Sequence, residues 1–155
     1  MIDWSTIKHF KKSEFSESPD EHANPQLILS LDKYRRYLDQ PIHPSPVPGA
    51  LARFDANAKT SRHYAFGRKS DAIDVFCDVP IFKVWSIAIN SRLWGGIGVY
   101  FDTKYCNNPL CMLHLDLRSH QSLWFRNNGE YTSMKSKAFW SKLLELFAQQ
   151  IKEET

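Results

Sequence analysis

The hexapeptide MLHLDL, residues 112–117, repeats an apolar residue at every second position, with Leu113, Leu115 and Leu117 separated by His114 and Asp116. Successive side chains of a strand point to opposite faces, so the segment predicts a strand with one plain core face. Its other face carries Met112, His114 and Asp116, an imidazole and a carboxylate side by side. AIDVF, residues 72–76, follows the same rule: Ile73 and Val75 share one face, and Asp74 shares the other with Ala72 and Phe76. Two such strands call for a sheet with one buried face and one face kept for polar groups. If they are neighbours, Asp74 and His114 converge, and the polar loop bearing His63 can close over them.

The rest of the chain supplies helices and further strands. Asn24-Pro25 reads as an N-cap followed by proline at the first helical position. Leu27, Ile28, Leu31, Tyr34 and Leu38 recur at helical spacing, which predicts a helix from Pro25 to about Leu38, stopped by Gln40-Pro41. Residues 1–23 are polar and mixed. PIHPSPVPG, residues 41–49, holds four of the eight prolines and reads as irregular chain, continued by loop to Ser70. Asp78 and Pro80 open a second helix with Ile81, Val84, Trp85 and Ala88 along one face, up to Gly95-Gly96. IGVYF (97–101) and SLWFR (122–126) read as strands. Phe139, Trp140, Leu143, Leu144, Phe147 and Ile151 form the stripe of a C-terminal amphipathic helix. This order predicts one α+β domain over residues 1–155, with a mainly antiparallel central sheet flanked by helices.

Composition narrows the partners. A chain of 155 residues with 43% hydrophobic and 24% charged residues suits a single folded core. The net charge is +3, and the short pairs Lys11-Lys12 and Arg35-Arg36 read as solvated faces, so no nucleic-acid partner is expected. No apolar run has the length of a membrane span, and MIDWSTIKHFKKSEF lacks the apolar segment of a signal peptide, so a cytoplasmic site of synthesis and no membrane partner are expected. Cys77, Cys106 and Cys111 are odd in number and lack a Cys-x-x-Cys spacing, which argues against a disulfide framework and predicts a reducing compartment or free thiols.

Two neutral histidines and one carboxylate are a standard ligand set for catalytic zinc, with the fourth position left to water. Calcium or magnesium would want more oxygen ligands. Spacing alone leaves plainer roles open. His114 can be a hydrogen-bonded structural residue, Asp74 can cap a turn or pair with Arg68 or Lys69, and His63 can be an ordinary loop residue.

The pieces SRH, a following glycine and AIDV, then IGVY and HLDLR, resemble the zinc-dependent D-alanyl-D-alanine carboxypeptidase family. That family includes cell-wall peptidases and phage endolysins with the hedgehog/DD-peptidase fold. HFKKSEF (9–15), the helix containing LILSLDKYRRYL and the following PIHPS fit its layout, so the resemblance spans roughly residues 9–126 in order. It implies zinc held by His63 of the Ser-x-His motif, Asp74 of the Ala-x-Asp motif and His114. Asp116 then matches the His-x-Asp pattern, as general base or proton shuttle, or as a residue orienting a ligand. Arg53 in SPVPGALAR stands where the family binds a substrate carboxylate. The implied activity is hydrolysis next to D-amino acids in peptidoglycan stem peptides, as a carboxypeptidase or endopeptidase, in a phage or prophage protein that reaches the wall by release or in a virion.

Two departures from the family stand out. His63 and Asp74 lie 11 positions apart, so YAFGRKSD carries an insertion and Asp71 rivals Asp74 as a ligand. The glutamate that one family branch has three residues before the last histidine is Cys111 here. These departures motivate an alternative, a zinc-binding module or virion component that binds cell wall or a protein partner without efficient catalysis.

Overall fold

The computed structural model describes residues 1–105 and 108–154; Cys106 lies outside them. In chain order the elements are α1 (Pro19–His22), α2 (Pro25–Leu38), β1 (Ile42–Pro44), β2 (Ala72–Cys77), α3 (Ile81–Ser91), β3 (Gly96–Tyr105), β4 (Asn108–Asp116), β5 (Ser122–Asn127), β6 (Glu130–Ser133) and α4 (Phe139–Glu154). The helix α2 has the predicted bounds. The Asn24 side chain accepts a hydrogen bond from the Gln26 amide, and Asp39 ends the helix in the left-handed region at φ 52°.

The six strands form one sheet in the order β1-β2-β4-β3-β5-β6. Four of its neighbouring pairs are antiparallel, but β3 and β5 run parallel, so the sheet is mixed. Topology forces this. The strand β4 already has β2 and β3 on its two sides, so β5 must pass β4 and pair with the far side of β3. Having reversed direction after β4, it runs with β3.

Two strands escape the sequence patterns. Ile42–Pro44 lies in the proline-rich stretch expected to be irregular, yet it pairs with β2 as an edge strand, where proline's missing N–H is tolerated. Glu130–Ser133 is largely exposed and has no apolar alternation to announce it. Its signal is the turn instead. Asn128 and Gly129 both have positive φ (51° and 80°), as a tight hairpin of the right twist requires.

The cross-strand register carries most of the architecture. On one face, Ile73, Leu115, Ile97 and Leu123 form one row, and Val75, Leu113, Val99 and Phe125 form the next. All eight are buried in the single core. The helices pack on this side: Tyr34 of α2 donates its hydroxyl to the Val84 carbonyl of α3 at 2.6 Å. From α4, Phe139 and Phe147 meet Phe125 and Phe101 with ring centroids 5.6 and 5.5 Å apart. Only part of the predicted α4 stripe is buried. Phe139, Leu143 and Phe147 face the sheet, whereas Trp140, Leu144 and Ile151 lie further round the helix and are exposed. The N-terminal segment, polar by composition, nevertheless contributes Ile2, Ile7, Phe10 and Phe15 to the core. It is tied down by the Asp32 carboxylate, which accepts from the Lys8 and His9 amides. Among the described residues no helix is long and apolar enough to cross a membrane.

Candidate metal centre

The opposite face of the sheet holds three rows of a different character. Asp74, His114, Gly98, Trp124 and Ser133 are cross-strand partners along β2, β4, β3, β5 and β6. On one side of that row run Ala72, Asp116, Gly96 and Ser122, and on the other Phe76, Met112, Tyr100, Arg126 and Tyr131. Alternation in the two apolar strands therefore does place Asp74 and His114 together, directly opposite one another.

His63 reaches them from the loop before β2. Its backbone is held at the level of the sheet by Arg53, whose amide donates to the His63 carbonyl at 2.7 Å. The Asp74 backbone is fixed as well, since Ser45 N donates to Asp74 O and Asp74 N donates to Ala50 O. The loop YAFGRKSD closes on itself: Arg68 folds back to the Tyr64 and Ser61 carbonyls, and Ser70 pairs with Ala23. The loop thus projects outward, with Phe66 exposed, and leaves His63 beside Asp74. Asp71, the rival carboxylate, accepts from Asn24 Nδ2 at 2.8 Å and lies outside the histidine group.

Three donor atoms meet at one point. His114 Nδ1 lies 2.9 Å from Asp74 Oδ1 and 3.0 Å from His63 Nε2, and His63 Nε2 lies 3.3 Å from the same Asp74 oxygen. All three side chains are buried. Behind His114, its Nε2 faces Asp116 Oδ2 at 3.2 Å. Asp116 is fully buried and also accepts from the Arg118 guanidinium and backbone amide. With an acceptor behind it, a neutral His114 carries its hydrogen on Nε2 and turns the Nδ1 lone pair toward Asp74 and His63. Three lone pairs facing one another repel unless a proton or a cation stands between them. A His63-Asp74-His114 group of this geometry can hold a metal ion.

The electrostatics follow from burial and pairing. Burial holds the His63 imidazole below its ordinary pKa, against the attraction of Asp74, and so favours the neutral, ligating form. His63 Nδ1 is buried and has no hydrogen-bond partner among the described residues. For His114, burial works in the same direction but is outweighed by hydrogen bonds to Asp116 and Asp74, which hold its pKa above the ordinary value. Burial would also raise Asp74, yet the two histidines keep it well below the usual carboxylate range. Asp116 is held low in the same way by His114 and Arg118.

Glycines make room for this arrangement. A Cβ on Gly96 would lie 2.2 Å from Asp116 Oδ2, and a Cβ on Gly98 would lie 2.4 Å from the Trp124 ring. The space above Gly98 lets Trp124 pack beside His114, at 5.0 Å between ring centroids, with Arg118 stacked on the indole.

Asp74 opens onto a cleft of about 560 Å³. Its walls include the turn Pro46–Ala50, Arg53, Tyr100, Arg126 and Tyr131. Arg53 Nη2 stands 3.7 Å from Asp74 Oδ2 in a loose pair, its Nε donates to Gly49 O, and its side chain is 44% exposed. The Glu17 carboxylate accepts from the Gly49 and Leu51 amides and clamps this wall in place. Tyr100, Trp124, Arg118 and Arg126 were not among the predicted site residues. Alternation in SLWFR is the signal that finds two of them, since it puts Trp124 and Arg126 on the face of His114.

Comparison with protein-family models, with curated proteins and with solved structures finds no match. The class this geometry defines is therefore a single α+β domain with a mixed sheet and a metal-competent His-Asp-His group at the edge of a cleft.

Proposed function

We propose that the chain is a zinc-dependent peptidase acting next to D-amino acids in peptidoglycan stem peptides, as carboxypeptidase or endopeptidase, of phage or prophage origin. The observation that carries this reading is the convergence of His63 Nε2, Asp74 Oδ1 and His114 Nδ1 on one point beside a cleft. Two imidazole nitrogens and one carboxylate oxygen are the donor set of a catalytic zinc site, and they are too few oxygens for calcium or magnesium. Zinc bound there would supply Lewis acidity toward the scissile carbonyl and lower the pKa of water. The chain's own residues do the rest. Asp116 fixes the tautomer and orientation of His114 through Nε2, which is a positioning role; its burial behind the imidazole fits that better than base catalysis. Arg53, half exposed at the cleft wall, is placed to bind the terminal carboxylate of a peptide. Tyr100 keeps its phenolic proton, because burial and the charge of Asp74 both push its pKa up, and so offers the cleft a hydrogen-bond donor.

The test is metal analysis of the purified chain with turnover on a D-alanyl-D-alanine peptide and on purified sacculi. One zinc per chain, lost in His63→Ala and in His114→Ala, together with hydrolysis, is the expected result. Stoichiometric zinc in both variants would sink the ligand assignment.

A second reading has its own observation. Asp116 is engaged by His114 and Arg118, and the position three before His114 is Cys111, so no carboxylate besides Asp74 lines the cleft among the described residues. A zinc-binding module that binds cell wall without cutting it would look the same. Zinc-loaded protein that sediments with sacculi and releases nothing from them would select this reading.

A further inference from the structure

We propose that Arg126 is a second anion contact of the cleft, so that the peptide taken there carries two carboxylates on opposite sides of the scissile bond. This rests on the peptidase reading above and names the substrate class of the same site. Arg126 lies on β5 in the row Phe76, Met112, Tyr100, Arg126 and Tyr131, next to the row of Asp74 and His114. It shares the cleft with Arg53, Asp74, Tyr100 and Tyr131.

The side chain is held in place without being used up. Its Nε faces Asp102 Oδ2 at 3.3 Å, and that oxygen also accepts from the Gly129 amide at 2.7 Å. The guanidinium carbon stands 5.6 Å from the Tyr100 ring centroid and 5.9 Å from that of Tyr131. One third of the side chain is exposed (33%). Among the described residues, neither terminal nitrogen of the guanidinium has a bonded acceptor. A fork fixed at its Nε by a carboxylate, and steadied by two aromatic rings, is pre-organised for a planar anion, and little side-chain entropy is lost when one binds.

Geometry sets where the second carboxylate sits. Arg53 stands against Asp74 on β2, and β5 lies three strands away, at about 4.8 Å per strand or roughly 14 Å in all. An extended peptide advances about 3.3 Å per residue, so a chain lying across the strands spans that gap in roughly four residues. With its terminal carboxylate at Arg53 and its scissile carbonyl beside Asp74 and His114, the residue opposite Arg126 falls three or four places before the scissile bond. An acidic residue at that place completes the match.

The probes are two N-acetylated tetrapeptides, Glu-Lys-D-Ala-D-Ala and Gln-Lys-D-Ala-D-Ala, whose last peptide bond is replaced by an uncleavable CH2–NH link. Calorimetry on the zinc-loaded wild type should show the Glu peptide binding about tenfold or more tighter than the Gln peptide, a gap that shrinks with added salt. Arg126→Gln should bind both alike, and Arg126→Lys should keep part of the preference. Equal binding of the two peptides by the wild type, binding of neither, or a gap that survives in Arg126→Gln would overturn the proposal. Should Arg126→Gln melt far below the wild type, Arg126→Lys and the wild-type pair decide the matter. Missing zinc or missing turnover on a cleavable peptide overturns the peptidase reading, whereas loss of the Glu-over-Gln gap overturns this inference alone.

Discussion

Asp116 is a buried carboxylate that bears on the His63-Asp74-His114 group through His114 rather than from the cleft. It accepts from His114 Nε2 and from Arg118, and so decides which nitrogen of His114 faces Asp74. Replacing it with asparagine should weaken metal binding by roughly 10–100-fold, read by competition with a chelator of known affinity. The same substitution makes a pH prediction. Burial lowers the His114 pKa, but the hydrogen bond it donates to Asp116 is the largest influence raising it, with Asp74 next. A proton on Nδ1 competes with the metal, so affinity should fall as pH drops through the His114 pKa. In Asp116→Asn that fall should move to lower pH, and an unmoved midpoint would contradict the assignment. Cys77 is the opposite case: burial, helped by Asp78, pushes its thiol well above the ordinary range, so it should resist alkylation until the chain unfolds. The shared face of Asp74 and His114 was legible in the sequence, because each sits at the polar parity of an otherwise apolar strand; His63, in a loop, had no such signal and joined them only through the resemblance. The choice between base and orienting residue for Asp116 was not, since alternation gives the face of a residue but not its hydrogen-bond partners.

At the scale of the element, β3 matters for what it omits. Gly96 and Gly98 lie opposite Asp116 and His114, and each leaves room for a neighbour's side chain. Gly98→Ala should cost about 1–3 kcal/mol in denaturant unfolding, because the Trp124 ring must shift from His114. The cleft wall depends on a different device. Glu17 bonds the Gly49 and Leu51 amides. Glu17→Ala should speed hydrogen exchange at these two amides, while leaving exchange in β4 unchanged; protection of both at wild-type levels would exclude the clamp. Helix α2 was readable to the residue from its Asn24-Pro25 start and its apolar spacing. The strand Glu130–Ser133 was not, because an exposed edge hairpin needs no apolar alternation and shows only in Asn128-Gly129. The parallel pairing of β3 with β5 was equally silent, being a property of which sides of β4 were already taken.

Across the whole molecule, a metal held by β2, β4 and the His63 loop would tie together segments distant in sequence. Zinc at 100 times its dissociation constant should add about 2.7 kcal/mol to stability. For a domain of this size that is an increase in melting temperature of roughly 5–11 °C, which a chelator should reverse. A transition unmoved by zinc and chelator alike would mean that the group is structural. The α+β class and the single core were legible from element order. The mixed sheet and the buried N-terminal segment emerged only when the elements were packed. The direct pairing of Asp74 with His114 has one more consequence. A slip of β2 by one position along β4 would set Val75 against His114 and send the carboxylate into the helical layer. Capture of a metal by this group would therefore proofread strand alignment: a misaligned chain has no trio to offer, and an ion would reward only molecules that have zipped the two strands correctly.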